Sequence, residues 1–368
     1  MGVEIFLAKK LYLMSEINNE KEFSFFNELT SRVDQYFEQS GKNRWGDWRI
    51  HIKAILLIGA LVALYVTLVF FTPSSPYISL IMCALLGVTL AGIGFNVMHD
   101  SAHGSYSRYP WLNNIMGHSL NVMGGDVHLW KTKHNMVHHN YTNVVGLDDD
   151  IDVQPVLRVT TQQEKRSYHK YQHIYAFFFY ATNYAFWVFY FDFKKYFSGK
   201  VGNVPIKKYT FVQHISFWVT KLTYYTMFIG LPIYLHGLTN VLIGYTVTIL
   251  VCGIIIAIVF QLAHVVEETS FYDDSKSRQK LDNDWAVQQI KTTSNFAMDN
   301  KIVSWFTGGL NFQVEHHLFP RISHIHYPAL SKIVKEMCDT YGVPYNYHPT
   351  VLRAVRSHVV HLKEIGRA

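Results

Sequence analysis

The chain has 368 residues, of which 49% are hydrophobic, 15% aromatic and only 16% charged. An ordinary soluble domain carries about 25% charged residues, so this composition excludes a disordered chain and argues against an ordinary cytosolic enzyme. The formal net charge of +6 favours an anionic membrane surface or an acidic partner, and we expect no nucleic-acid binding. Three widely spaced cysteines rule out a disulfide framework or a cysteine-based zinc site. Any metal must therefore have other ligands, and the 20 histidines are the candidates.

Residues 1–53 precede the first long apolar run, and we predict a cytosolic segment with one amphipathic helix. Residues 23–37 place five large apolar side chains on one helical face: Phe26, Leu29, Val33, Tyr36 and Phe37. A helix with this pattern packs on the rest of the protein or on the membrane surface.

Four apolar runs predict an all-α integral membrane protein with four transmembrane helices in two hairpins and a cytosolic helical cap. Runs 54–71 and 78–98 contain no charged residue, and each is long enough to cross roughly 30 Å of hydrocarbon. The only charged residue in runs 212–235 and 240–260 is Lys221. We expect it to face a polar cavity or a partner, because a charge facing lipid is unfavourable. The chain is thus divided into a first hairpin over 54–98, a cytosolic segment over 99–211, a second hairpin over 212–260 and a cytosolic segment over 261–368.

The distribution of lysine and arginine predicts the orientation in the membrane. All but one of the 33 lie outside the four apolar runs, and neither hairpin loop contains one. The positive-inside rule then places both termini and the middle segment in the cytosol, in a cell inner membrane or the endoplasmic reticulum. Residues 175–191 are uncharged and aromatic, and a fifth crossing there would reverse this arrangement. Their polar centre at Thr182 and Asn183 favours a helix lying in the interface instead.

Histidines cluster beside the predicted span ends. The first box reads HDSAH (His99, His103), the second HNMVHH (His134, His138, His139) and the third QVEHH (Gln313, His316, His317), and His264 follows the last run. Residues four apart share a helical face, so His99 and His103 can reach one metal, as can His134 and His138. His139 and the adjacent pair in the third box diverge by about 100° and can reach a second metal. Nine candidate ligands exceed the needs of one ion, and imidazole ligation suits iron, copper, nickel or zinc.

Several metal and cofactor sites are excluded by the absence of their motifs from the sequence. The chain contains no Glu-x-x-His pair of the soluble di-iron bundles and no His-Glu-x-x-His zinc protease motif. It also lacks a Gly-x-Gly-x-x-Gly dinucleotide fingerprint.

The boxes resemble those of the membrane fatty-acid desaturase family, and the resemblance covers about residues 40–345. Gln313 in place of the first histidine of the third box is similar to the front-end subgroup, which inserts a double bond between an existing one and the carboxyl end. The flanking sequences HNMVHHNYTNVVGLDDDID and QVEHHLFPRISHIHY are similar to the linoleoyl-CoA (delta-6-like) desaturases.

The resemblance implies two iron ions, with O2 as co-substrate and a fatty acyl-CoA or acyl-lipid as substrate. It implies that His99, His103, His139 and His317 hold one iron, and that His134, His138, His264, Gln313 and His316 surround the other. Asp100, Glu315, Gln261 and Asp148 are candidates to hold the ligand rings through hydrogen bonds. Many front-end enzymes carry a fused cytochrome b5 domain with a His-Pro-Gly-Gly motif. None occurs in this sequence, so we expect a separate ferredoxin or cytochrome b5 as electron donor.

Two other functions remain compatible with the histidine boxes. A lipid hydroxylase on the same scaffold would add oxygen to the acyl chain where a desaturase removes two hydrogens. A non-catalytic membrane metal carrier would need polar residues through its spans, whereas these runs are nearly all apolar.

Overall fold

The computed structural model describes residues 25–273 and 281–368, which form mainly α-helices. The helices are α1 (residues 25–40), α2 (Trp48–Phe70), α3 (Pro76–Ile93), α4 (His99–His103), α5 (Pro110–Gly117), α6 (Ser119–Val122), α7 (Val127–Lys131), α8 (Gln172–Phe186), α9 (Asp192–Ser198), α10 (Phe211–Tyr225), α11 (Leu231–His236), α12 (Leu238–His264), α13 (Leu281–Lys291), α14 (Lys301–Phe306), α15 (Gln313–Leu318), α16 (Tyr327–Tyr341) and α17 (Val351–Arg367). π-Helical turns occupy Gly94–Met98, Thr132–His138, Trp187–Phe191 and Thr226–Gly230, and 3₁₀ turns occupy Ser167–Tyr171 and His324–His326.

The described residues contain three pairs of two-residue strands, two of which connect distant segments. β1 (Val144–Val145) pairs in parallel with β4 (Tyr272–Asp273), β2 (Lys200–Val201) pairs antiparallel with β3 (Val204–Pro205), and β5 (Asn295–Phe296) pairs in parallel with β6 (Tyr347–His348). The β1–β4 pair joins the chain that follows the second box to a later segment. The β5–β6 pair does the same for the chain that precedes the third box.

Among residues 25–273 and 281–368, three helices are long and apolar enough to cross a membrane: Trp48–Phe70, Pro76–His103 and Leu238–His264. They correspond to the first, second and fourth predicted runs, so the chain has the character of a membrane protein. The predicted run 212–235 is helical but is not among the three, because Lys221 and several polar residues lower its hydropathy. The four-span arrangement therefore stays a prediction for that segment.

Helix α12, a candidate span, approaches α3 and α8 closely at glycines. A side-chain Cβ at Gly87 on α3 would lie 2.5 Å from the Thr248 carbonyl oxygen on α12, and one at Gly253 would lie 2.3 Å from the Ala181 carbonyl oxygen on α8. Small residues at such positions allow helix backbones to pack closely. The glycines thus bring α3 and α8 against α12, whose last residue is His264.

Lys221 faces the protein interior, as the sequence predicted. Its side chain is 1% exposed, and Nζ donates to Asp192 Oδ2 (2.8 Å) and to the carbonyl oxygens of Gly124 (2.6 Å) and Val188 (3.2 Å). This buried ion pair ties α10 to the start of α9 and to the loop before α7.

The aromatic segment 175–191 lies within α8 and the π turn that follows it. One face is buried at Ala176, Tyr180 and Tyr184, while Phe178 and Phe186 on the other face are exposed. The segment is not among the three candidate spans of the described residues, and its location in the membrane interface stays a prediction.

The N-terminal amphipathic helix is present as α1, and residues 23 and 24 of the predicted segment lie outside the described residues. Leu29, Val33 and Phe37 are buried, while Phe26 and Tyr36 are half-buried. This face packs against apolar residues of α16, including Leu330 and Val334.

Candidate metal centre

The eight histidines of the boxes and the end of α12 converge in one buried region. All are more than nine-tenths buried. The first box forms α4 directly after a π turn, the second lies in and just after a π turn, and the third lies in α15. Helix α12 delivers His264 as its last residue. Four segments that are remote in sequence therefore present their imidazoles to a common space.

The ligand atoms form overlapping groups, two of which share no histidine, while His134 and His138 also lie together with Asp150. In the first, nitrogens of His99, His103, His134 and His316 lie within 4.8 Å of one another, and in the second, those of His138, His264 and His317 do so. His139 connects the groups, because its ligand nitrogen lies within 4.8 Å of those of His316 and His317.

These groups overlap and do not divide the histidines between two metals. His134 lies with His99, His103 and His316 and also with His138 and Asp150, and His317 lies with His138 and His264 and also with His139 and His316. The partition that the family resemblance implies therefore stays a prediction.

The π turn over the second box brings His134 and His139 together. In an α-helix His134 and His138 share a face, but here the His139 amide donates to the His134 carbonyl oxygen (3.1 Å), a five-residue repeat. His134 and His139 consequently face each other, with 3.2 Å between their Nε2 atoms. The His138 ring stacks on His134, with 5.3 Å between ring centroids, and lies 4.7 Å from the His264 ring. π-Bulges occur frequently at functional sites.

The hydrogen bonding of the rings fits a metal centre. In several rings Nδ1 is within hydrogen-bond distance of a protein group, while Nε2 has no hydrogen-bond partner among the described residues. His138, His316 and His317 each have an Nδ1 within hydrogen-bond distance of a protein group. The buried Nε2 atoms of the same three rings, and that of His103, have no hydrogen-bond partner among the described residues. Buried polar atoms without partners are rare and need an explanation, and a bare imidazole nitrogen in such a cluster is the form that binds a metal.

Asp148 anchors His138. The carboxylate oxygens of Asp148 lie 3.1 and 3.2 Å from His138 Nδ1, and Oδ2 also accepts from the Asn143 amide (3.0 Å). Burial alone lowers the pKa of His138, but the Asp148 and Asp150 carboxylates raise it above its ordinary value. A carboxylate partner of this kind makes an imidazole a stronger ligand.

Gln289 and Thr142 anchor His317, and sequence reasoning missed both. His317 Nδ1 donates to Gln289 Oε1 (2.7 Å), and the Thr142 hydroxyl lies 2.9 Å from the same oxygen. Thr142 follows the second box by three residues, which is a weak signal. Gln289 comes from α13, and no motif connects it to a histidine box.

The remaining anchors involve Tyr327, Thr292 and Gln313. The Tyr327 hydroxyl lies 3.2 Å from His316 Nδ1, and His264 Nδ1 donates to the Thr292 carbonyl oxygen (3.3 Å). Gln313 Nε2 lies 3.0 Å from His264 Nε2. The structure thus places the Gln313 amide beside His264, and the expected role of Gln313 at the metal stays a prediction.

The other candidate anchors have different surroundings. Asp100 Oδ2 accepts from Ser323 and His324, both at 2.9 Å, whereas its other oxygen is 4.0 Å from His99 Nδ1. Gln261 is buried one helical turn before His264, and its Oε1 has no hydrogen-bond partner among the described residues.

Glu315 was expected to hold a box histidine, and the structure corrects this. Its carboxylate accepts from Asn295 (2.9 Å) and Tyr345 (2.8 Å) instead. A residue next to His316 on a helix points about 100° away from it. Glu315 therefore fixes α15 to β5, and burial raises its pKa to about 7.

Electrostatics keep the cluster in the ligand form. Burial lowers the pKa of His134, His139, His316 and His317 far below the usual range, and the neighbouring histidines lower it further. These imidazoles are therefore neutral at neutral pH, with lone pairs available. The arrangement can hold two metal ions side by side with nitrogen ligands.

Comparisons with known proteins agree with the histidine boxes. Residues 75–349 match the family model described as fatty acid desaturase. The chain is 35% identical to an sn-1 linoleoyl-lipid 6-desaturase of Synechocystis sp., over 92% of this chain and 95% of the relative. It is 33% identical to the protein of the same name from Arthrospira platensis, over 96% and 95%. It is also 36% identical to an acyl-lipid (8-3)-desaturase of Physcomitrium patens, over 93% and 72%.

Proposed function

This chain belongs to the fatty acid desaturase family, and we propose that it inserts a front-end double bond into the acyl chain of a membrane lipid. As a desaturase it is an oxidoreductase that acts on fatty acyl chains. The finer proposal is that the new bond forms between an existing double bond and the carboxyl end. The names of the relatives, which are 6-desaturases of linoleoyl-lipids and an (8-3)-desaturase of acyl-lipids, support it.

The observation that carries the proposal is the pair of adjacent histidine groups in a buried site at the ends of candidate spans. Removal of hydrogen from an unactivated methylene needs an oxidant that no side chain supplies. We propose that the first group with His139 and the second group with Gln313 hold two iron ions, the metal that the family generally uses. When bound, this centre supplies O2 activation with two electrons and two protons, so that the lost hydrogens and both oxygen atoms leave as two waters.

The residues of the chain contribute geometry and exclusion of water. Asp148, Gln289 and Tyr327 hold the rings of His138, His317 and His316 through their Nδ1 atoms, which aims each Nε2 into the site. Burial keeps the site dry, and it keeps the imidazoles of His134, His139, His316 and His317 neutral. Fixed ligands of this kind avoid reorganisation during the reaction.

We further propose that the metal centre lies on the cytosolic side and that a separate ferredoxin or cytochrome b5 delivers the electrons. The charge distribution supports this orientation. The net charge of +6 suits an acidic donor.

The test is expression in a host of defined lipid composition, supplied with linoleoyl lipids, followed by mass spectrometry of the acyl chains. The expected product is two mass units lighter, with its new double bond on the carboxyl side of the existing ones. His316→Ala should abolish the product and lower bound iron toward one ion per chain while membrane insertion persists. A product sixteen mass units heavier would identify a hydroxylase. Zinc in the protein with no O2-dependent product would identify a metal carrier.

A further inference from the structure

A cationic cavity lies beside the N-terminal end of α2, outside the metal centre. It has a volume of about 380 Å³ and is lined mainly by residues 41–51 and 107–109. Three of the lining side chains, Lys42, Arg49 and Arg108, are cations, whereas a single carboxylate, that of Asp47, faces them. The cavity therefore carries an excess of positive charge.

Two of the three cations are not neutralised by a carboxylate. Arg49 pairs with Asp47 at 2.8 Å. Lys42 Nζ donates only to the Tyr36 hydroxyl (3.4 Å), and Arg108 donates to the Tyr109 hydroxyl (2.5 Å). Neither Lys42 nor Arg108 forms a salt bridge with any residue that the structure describes, so both retain donors for an anion.

The cavity lies at the level of a membrane interface. Helix α2, a candidate span, begins at Trp48 beside it. Trp45 and Tyr109 line the cavity with exposed aromatic rings, and the exposed Trp48 lines the neighbouring cavity along α2. Tryptophan and tyrosine concentrate where the polar groups of lipids meet the hydrocarbon region. An anion bound in the cavity would thus be at the depth of lipid head groups.

A second, more apolar cavity of about 350 Å³ shares Arg49 with the first and extends along α2. Its lining includes Ile52, Leu56 and Trp305, together with the buried Lys53. Lys53 lies 3.2 Å from His324, which donates to Asp100 beside the first box (2.9 Å). The two cavities therefore combine a cationic and an apolar part on the side of the metal centre.

We propose that the cationic cavity binds the phosphate group of a glycerophospholipid, with the apolar cavity receiving the adjoining part of the lipid. The inference deepens the proposed function, on which it rests, by naming phosphate-bearing glycerolipids as the preferred substrate class. Lys42 and Arg108 supply the free cations, and Arg49 borders both parts. A galactolipid with the same acyl chains lacks the phosphate and gains nothing from these cations.

The test is native mass spectrometry of the full chain in detergent, titrated with phosphatidylglycerol or with monogalactosyldiacylglycerol of identical acyl composition. The wild-type protein should bind phosphatidylglycerol more tightly. The double variant Lys42→Gln/Arg108→Gln should lose about tenfold in that affinity, which corresponds to about 1.4 kcal/mol, and keep its affinity for the galactolipid. Equal binding of both lipids by the wild-type chain would overturn the proposal.

The control variant Lys332→Gln/Arg353→Gln removes two exposed cations that do not line either cavity. It should bind phosphatidylglycerol as the wild type does, and an equal loss would show that only overall surface charge matters, which overturns the proposal. A competition experiment with inorganic phosphate distinguishes a lipid head group from a free anion. Phosphatidylglycerol binding that survives excess phosphate supports a lipid site, whereas displacement by millimolar phosphate would assign the cavity to the free anion and overturn the lipid assignment.

The proposed function fails independently of this site. Selective phosphatidylglycerol binding by a chain that forms no new double bond would refute the desaturation proposal and leave the cavity assignment standing. Desaturation without any preference between the two lipids would refute the cavity assignment alone.

Discussion

Replacing Gln289 with leucine should release iron from the second histidine group. Gln289 is fully buried, and its Oε1 is the acceptor for His317 Nδ1 at 2.7 Å. Leucine has similar volume but no acceptor, so the imidazole N–H loses its partner in a dry site. An unsatisfied buried donor costs about 1–3 kcal/mol. Loss of an outer partner of a metal-bound histidine typically weakens metal binding by about 10–100-fold, which agrees with that range.

The assay is competition with a ferrous-iron chelator under anaerobic conditions, followed by elemental analysis of iron per chain. Gln289→Leu should lose one ion at a chelator concentration about 10–100-fold lower than the wild type needs. Gln289→Glu restores an oxygen acceptor and should recover most of the affinity.

Gln288 is the matched control. It is the neighbouring residue on α13, is 5% exposed, and its side-chain nitrogen has no hydrogen-bond partner among the described residues. Gln288→Leu should therefore keep both ions. The reasoning is refuted if Gln289→Leu resists the chelator as the wild type does, or if Gln288→Leu loses iron equally.

Four further predictions address other parts of the structure. Asp148→Asn removes the charge beside His138 Nδ1 (3.1 Å) and should weaken iron binding by about tenfold in the same chelator assay. Gln313→His should retain iron and desaturation, whereas Gln313→Leu should lose iron from the second group first; equal iron retention in both would contradict a role for this position in the ligand shell. Gly253→Ala places a Cβ 2.3 Å from the Ala181 carbonyl oxygen and should destabilise the fold by about 1–3 kcal/mol, measured as a lower Tm. Gly59→Ala is the control and should leave the Tm unchanged, because no atom lies within 4 Å of a Cβ at Gly59. Burial lowers the pKa of His358 to about 4, below the roughly 6.5 of an unfolded chain. The free energy of unfolding that this histidine contributes above pH 6.5 is therefore lost as the pH falls toward 4, by up to about 3 kcal/mol. In His358→Gln the fall in Tm between pH 7 and pH 4.5 should be smaller, and an unchanged fall would contradict this.

The members of the metal centre could be predicted from the sequence because each histidine box is local. His99 and His103 are one α-helical turn apart, and the structure places their rings 4.8 Å apart. The first box and His264 also directly follow apolar runs, and the charge distribution predicts the other two boxes on the same side of the membrane. The convergence of the histidines could therefore be expected from the sequence.

The anchors of the ligand rings could not be predicted because they depend on contacts between remote segments. Gln289 reaches His317 across 28 positions, and Ser323 and His324 reach Asp100 across more than 220. The π turn over Thr132–His138 is not marked by any pattern in its residues. It keeps His134 and His138 within reach of each other, but it also brings His139 to His134, a contact that α-helical periodicity does not predict.

The candidate spanning helices could likewise be predicted only where the sequence is uniformly apolar. Three uniformly apolar runs were sufficient to predict Trp48–Phe70, Pro76–His103 and Leu238–His264. The remaining run carries Lys221, whose partners Asp192 and Gly124 come from other segments. Its burial could be argued from the cost of a charge in lipid, but the identity of its partners could not.

The two histidine groups differ in their number of imidazoles, and Gln313 lies beside the smaller group. The first group has four imidazoles close together, while the second has three, with the Gln313 amide at His264 Nε2. An amide oxygen is a weaker donor than imidazole for these metals. The second group therefore depends more on its anchors, and it has the stronger ones: a carboxylate on His138 and a buried amide oxygen on His317. In the proposed di-iron centre, hydrogen bonds from His138 to Asp148 and from His317 to Gln289 would offset the weaker binding of metal by Gln313. Loss of either acceptor should therefore affect the iron of this group before the other.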